Sequence, residues 1–165
     1  MIDTSDFLNA VASASDRSDV YLQAFEALLQ QNVGARLFTL TTVDPKTMEY
    51  ARFYSNMPDA YPVYGRKPAD TSDWSNQVLR DRKTFVANSI EEIAVLLPDY
   101  ALIQSLGCES IVNIPVEVAG RVIGTVNLLD KAGFYTPEKV ARANALKLPA
   151  MVCFLLYTQM QGDTA

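Results

Sequence analysis

Two cysteines, Cys108 and Cys153, are the only thiols in the chain, and it contains no histidine. Histidine-bound zinc, histidine-ligated haem and any Ser-His or Cys-His catalytic pair are therefore excluded by composition. The cysteines lie far apart in sequence, with no C-x-x-C or metal-ligand spacing. Redox work at Cys108 needs no histidine and is compatible with this composition. A thiolate can be oxidised to a sulfenic acid and resolved by a second thiol, provided the two Cα atoms come within about 7 Å. No basic residue adjoins Cys108, and Glu109 follows it, which is expected to raise its pKa. The plainer reading is a small buried apolar thiol.

Non-covalent chemistry has more candidates. Ser110, Asn113, Thr125 and Asn127 stand in two otherwise apolar stretches, 110–118 and 121–129. A buried amide without a partner costs about 1–3 kcal/mol, so each must find a ligand, a water or a neighbouring main chain. Arg52, Arg66 and Lys67 are the cations placed to meet an anionic group. Arg suits a bidentate grip, although a solvated loop charge is the commoner role for such residues. Asp70, Asp73 and Asp99 read as helix caps.

Elements to hold these residues follow from spacing. Ser5 to Ala14 reads as a short helix, and a longer one follows Ser18, with Val20, Tyr21, Ala24, Phe25, Leu28 and Leu29 on one side and Gly34 beyond its end. Ala35 to Val43 and Glu49 to Ser55 are strands joined by the turn Asp44-Pro45-Lys46-Thr47. A Pro-rich loop spans 55–73, followed by a helix over Asp73 to Arg82, a short strand at Thr84 to Ala87, a capping box at Ser89 to Glu92 opening a helix to Leu97, and another helix from Asp99 to Leu106. Ser110–Val118 and Arg121–Leu129 form a hairpin around Ala119-Gly120. Continuing that turn without interruption opposes Val112 to Asn127 and Asn113 to Val126, so Asn113 and Asn127 are expected on opposite faces. Both strands are apolar on both faces, so periodicity leaves open which face is the front. Thr136 caps a last helix with Pro137 in its first turn, and Pro149 should kink it near Ala145 to Pro149. Beyond that kink the helix is apolar nearly all round, and a second copy of the chain is its simplest cover.

The result is an α+β domain: a largely antiparallel sheet, terminal helices on one face and short helices on the other. With 165 residues, 49% apolar and 20% charged, the chain is a single globular domain. A net charge of −5 argues against nucleic acid. The opening MIDTSDFLNAVAS is not a signal peptide, and the longest apolar run, Leu148 to Tyr157, is too short to span a membrane. A reduced, cytoplasmic protein is expected.

Residues 105–130 resemble the GAF domain family: a short helix, Gly107, a strand containing Pro115, the Gly120 hairpin, then Ile123-Gly124 and Leu128. Trp74, Phe85-Val86 and Pro98-Asp99-Tyr100 fall in the family's order as well. The likeness covers about residues 18–160, leaving 1–17 as an N-terminal helical extension and 161–165 as a disordered tail. It implies a PAS-related antiparallel sheet with terminal helices behind it and a pocket in front. It also implies a small-molecule sensor that dimerises through its terminal helices. These residues hold no output domain, so a separate output protein is the expected reader.

The resemblance places Tyr54, Tyr61, Tyr64, Trp74, Phe85 and Tyr100 in the segments covering the front, with Ile103, Cys108, Ser110 and Asn127 completing the expected binding set. Aromatic walls with few polar groups suit a small organic ligand. No cofactor or metal is called for. The cyclic-nucleotide branch departs here: Leu128, not lysine, follows Asn127, and Lys139-Val140 stand where an acidic pair is wanted. Another branch reduces free methionine-R-sulfoxide with clustered cysteines. That alternative, or a one-cysteine redox sensor, rests on Cys108, with Cys153 expected behind the sheet.

Overall fold

A computed structural model describes residues 2–44, 46–63, 65–68 and 72–162. Among the described residues six strands form one antiparallel sheet: β1 (Leu37–Val43), β2 (Glu49–Ser55), β3 (Lys67–Pro68), β4 (Phe85–Ala87), β5 (Ser110–Val118) and β6 (Arg121–Asp130). Their spatial order is β3-β2-β1-β6-β5-β4. The two-residue β3 sits inside the segment the sequence reads as loop, pairing with Glu49 and Tyr50. It is too short for an alternating pattern to betray it.

Helices α1 (Ser5–Ser13), α2 (Ser18–Asn32), α6 (Pro137–Ala145) and α7 (Lys147–Gly162) pack behind the sheet. Phe7, Tyr21, Phe25, Leu29, Ala150, Cys153 and Phe154 meet Phe38, Leu40, Val112, Ile114, Val126 and Leu128 there. Each large side chain so enclosed contributes about 1.5–3 kcal/mol relative to exposure. α2 starts at Ser18 itself, and Arg17 occupies its cap position without a side-chain bond, so the serine is not the cap its sequence suggests. Thr136 does cap α6, accepting from the Lys139 N–H. The final helix is broken, and α6 and α7 meet at a 44° bend. Pro149 lies in the first turn of α7, where its missing N–H is harmless. No single helix among the described residues is long and apolar enough to cross a membrane.

The front carries α3 (Asp73–Ser75), a π turn (Asn76–Arg80), α4 (Ile90–Leu96) and α5 (Tyr100–Ser105). Ser89 caps α4 by accepting from the Glu92 N–H. Val78, Leu79, Ile93, Ile103 and Cys108 close a second core against Leu37, Ile111, Val122 and Leu129. α1 packs directly on α2, and Phe7 is 2% exposed, so the N-terminal extension shares the rear core.

Two bulges decide which side chains face front. In β2, Leu40 opposes Tyr54 but Thr41 opposes Arg52, so Phe53 is the extra residue. In β6, Glu117 opposes Val122 but Val116 opposes Gly124, so Ile123 is extra. A bulge reverses the alternation beyond it. The hairpin turn itself is tight: Ala119 and Gly120 have φ of 50° and 75°, the backbone of a type I′ turn. Past the bulge the register becomes Asn113 opposite Asn127. The uninterrupted register expected from the sequence, with the asparagines on opposite faces, is corrected by one residue.

Candidate functional site

A cavity of about 320 Å³ lies between the front of the sheet and the segment running from Tyr61 to Ile103. That volume sits at the lower end of small-molecule sites. Its floor is two rows of side chains crossing the sheet. One runs Asn113–Asn127–Thr39, the other Thr125–Thr41–Arg52. Leu37, Ile111 and Leu129 continue the floor as an apolar strip. Trp74 and Leu79 form part of the cover. They are five residues apart, and the wider π turn lets both face the same space where a regular α-helix would rotate one away.

The polar floor is internally paired and oriented. Trp74 Nε1 donates to Asn113 Oδ1 at 2.9 Å, and Asn113 Nδ2 donates to Asn127 Oδ1 at 2.7 Å. Asn127 Nδ2 donates to the hydroxyls of Thr39 and Thr41, each at 3.2 Å. Asn113 is 3% exposed and Thr39 likewise 3%, so these bonds replace water rather than compete with it.

At the far end, Tyr61 donates to Asp99 Oδ2 at 2.7 Å. Burial, then that carboxylate, push the Tyr61 phenol well above its ordinary pKa. The Arg52 guanidinium lies 4.7 Å from the Tyr61 ring centre and donates from Nη1 to the Pro62 carbonyl at 3.0 Å. Its Nε is buried with no partner among the described residues. Burial lowers the Arg52 pKa, with Tyr61, Asp99 and Tyr50 opposing, yet a guanidinium stays charged throughout the accessible range. The described residues include no cluster of three potential metal ligands.

The family model for the GAF domain matches residues 14–146. The chain belongs to the GAF domain family. Solved structures agree at the level of fold. The GAF domain/HD domain protein from Geobacter sulfurreducens aligns at a TM-score of 0.67 and 16% identity, covering 90% of this chain and 97% of that one. The GAF domain of a two-component sensor histidine kinase from Bacillus halodurans aligns at 0.64 and 15% identity, over 98% and 99%. Free methionine-R-sulfoxide reductase from Neisseria meningitidis, in complex with its substrate, aligns at 0.67 and 16% identity, over 94% and 87%. No curated protein sequence matches.

Within this GAF domain, Tyr61, Trp74, Ile103 and Asn127 line the cavity. The other expected site residues stand elsewhere. Tyr54 is behind the sheet against Phe38, its hydroxyl bonded to Glu26, because the Phe53 bulge turns it away. Phe85 opposes Asn113 and fills the front core beneath the cover, outside the cavity wall. Tyr100 opens α5 and is 42% exposed. Ser110 is buried at the sheet's end, donating to the carbonyls of Asp130 and Lys131. Tyr64 and Asp70 lie outside the described residues. Asp99 occupies the cap position of α5 without capping, since its carboxylate serves Tyr61. Asn113 is a wall residue that an uninterrupted register conceals, Arg52 lines the wall as well, and Thr39 and Thr41 on β1 join them. The threonines at 39 and 41, alternating with Phe38 and Leu40, were the available signal.

Cys108 is fully buried in the front core and outside the cavity wall. Burial pushes its thiol up to about 11, with Asp130 adding and Arg36 opposing; Glu109 is not the cause. Cys153 is equally buried in the rear core, its pKa also raised by burial. The sheet separates the two thiols.

These groups set an alkaline limit on the fold. Cys108 at about 11 and Tyr21 at about 12 stand above ordinary values of 9.0 and 10.0, and burial also raises Tyr54, Tyr61, Tyr135 and Cys153. Raised pKa values mean the unfolded chain releases these protons first. Stability is therefore full below about pH 9 and declines as pH rises through the folded-state values. With no histidine to titrate, the melting temperature should be nearly level from pH 6 to pH 8 and fall steeply between about pH 9 and pH 11. A melting series across those buffers checks this. A steep change between pH 6 and pH 8 would contradict it.

Proposed function

We propose that this GAF domain is a non-catalytic, cytoplasmic sensor of a small organic molecule held between the sheet and the Tyr61–Ile103 cover. The observation that carries the reading is the floor. Its amides and hydroxyls are already held by one another, so the cavity keeps a rigid polar pattern beside an apolar strip. Such preorganisation reduces the ordering cost of binding. The sensor histidine kinase among the structural neighbours supports a signalling context by analogy of fold.

The terminal helices are the expected dimer surface. Leu8 on α1 and Leu148 and Leu155 on α7 are 57%, 67% and 47% exposed. A partner protein would read the helix packing when ligand binding shifts it. Native mass spectra of the purified protein beside denaturing spectra test both points. A dimer with added mass that vanishes on denaturation is expected. A bare monomer would remove the dimer and leave the cavity without an occupant.

The thiol reductase reading has a neighbour in its favour and the thiol placement against it, because Cys108 and Cys153 belong to separate cores. Turnover of free methionine-R-sulfoxide, lost on Cys108→Ser, would install that reading instead.

A further inference from the structure

The direction of the hydrogen bonds on the cavity floor fixes what a ligand must offer. Indole nitrogen can only donate. Trp74 therefore holds the oxygen of Asn113 toward itself and turns the amide nitrogen to Asn127. That bond in turn holds the Asn127 oxygen toward Asn113 and sends its nitrogen to Thr39 and Thr41. The chain of polarity ends on two hydroxyls whose oxygens already accept. Their protons have no acceptor among the described residues.

Arg52 stands beside this terminus. It opposes Thr41 across the β1–β2 ladder, which puts their side chains on one face about 5 Å apart at Cβ. Its buried Nε–H lacks an acceptor among the described residues, and no carboxylate there forms a salt bridge with it. Three donors thus stand on adjacent rows of the floor with no acceptor among the described residues. The nearest acid, Asp99, is engaged by Tyr61. An unpaired buried donor is costly, and a charged one more so. The other end is apolar: Leu37, Leu79, Ile103, Ile111 and Leu129, with the Trp74 ring.

Resting on the ligand-binding reading above, we infer that the cavity takes a small monocarboxylic acid. Arg52 and the hydroxyls of Thr39 and Thr41 hold its carboxylate, and an aliphatic or aromatic tail lies along the apolar strip. Arg52 and Lys67 give the lining two cations against the one carboxylate of Asp99, which leaves one positive charge for a ligand carboxylate. An amine offers a donor to donors and is rejected. A neutral amide can present its carbonyl but forgoes the charge-assisted bond.

Trp74 is the chain's single tryptophan and forms part of the wall, so its fluorescence reports on this site alone. The test titrates the full chain with 3-phenylpropionate, 3-phenylpropanamide, 3-phenylpropylamine and phenyl phosphate, following Trp74 emission. The acid should bind about tenfold or more tightly than the amide, and the amine should not bind. Arg52→Gln should bring the acid down to about the level of the amide. Far-UV circular dichroism confirms that the variant is folded. Arg52→Lys should keep part of the preference.

Amide binding as tight as the acid overturns the carboxylate inference while leaving the cavity as a binding site. So does tighter binding of phenyl phosphate, or a preference that survives Arg52→Gln. Silence from all four probes also overturns it. If the native mass spectrum then shows no retained molecule, the ligand-binding reading falls with it.

Discussion

Gly124→Ala is expected to cost about 3 kcal/mol of folding stability, at the upper end of what an inserted methyl group exacts in a packed core. Gly124 lies in β6 opposite Thr42 and Val116. Its backbone is not in the left-handed region, so conformational freedom is not the reason for glycine. The reason is space: a Cβ built there would collide with the Phe154 ring and with the Thr41 carbonyl oxygen. Phe154 cannot simply turn aside. It is 1% exposed and set edge-on against Phe53 at 5.0 Å. The carbonyl belongs to the sheet itself. Relief therefore requires α7 to lift from the sheet, loosening the layer that also holds Ala150 and Cys153. Denaturant unfolding measures the loss. Phe154→Leu in the Gly124→Ala background should recover part of it, though not the share due to the Thr41 carbonyl. Gly162→Ala, where nothing lies within 4 Å, should change stability by less than about 0.5 kcal/mol. A cost below about 1 kcal/mol at Gly124 would mean that α7 does not seat on the sheet as described.

That glycine also shows what the sequence could reveal. Gly124 belongs to a chain of spaced glycines and prolines, from Gly107 to Leu128, whose order carried the family likeness. The same residues are legible because each answers a local geometric demand, as Ala119-Gly120 does for the hairpin. The helices and five of the six strands followed from hydrophobic spacing to within a few residues, since spacing reports which side is buried. The site was less legible, for two physical reasons. Each bulge adds a residue without altering local composition, and each reverses the faces beyond it. The bulge at Phe53 sent Tyr54 behind the sheet and left Arg52 in the cavity. The bulge at Ile123 brought Asn113 beside Asn127. Nothing in a run such as RVIGTVNLL marks which residue will be squeezed out. Tyr100, Cys108 and Ser110 stand outside the cavity wall for another reason. They lie in the right segments, but a segment's position does not say whether a side chain meets a cavity, solvent or the core.

Replacing Asn113 by leucine should destabilise the domain by about 2–4 kcal/mol, although the two side chains are of similar size. The change adds apolar surface to a site that is 3% exposed, which by area alone is favourable. It loses because two partners are left behind: the Trp74 N–H and the Asn127 carbonyl oxygen both give up their acceptor or donor. Trp74→Phe alone should cost about 1–2 kcal/mol, since it strands the Asn113 oxygen and removes indole area from the cover. Combined, the two changes should cost less than their sum by about 1 kcal/mol, because the donor stranded by the first is absent in the second. Additivity within about 0.3 kcal/mol would show that the 2.9 Å bond carries no energy of its own. The cycle bears on function as well as stability. Without Trp74 nothing forces the Asn113 amide to present its nitrogen to Asn127, so the donor polarity reaching Thr39 and Thr41 loses its source. Trp74→Phe should therefore weaken the preference of the cavity for an acid over its amide, even though the indole lies at the opposite end of the floor from Arg52. Competition between 3-phenylpropionate and its amide for the Trp74→Phe variant, read by calorimetry because the fluorophore is gone, would show that preference narrowing if the floor transmits orientation, and unchanged if Arg52 selects alone.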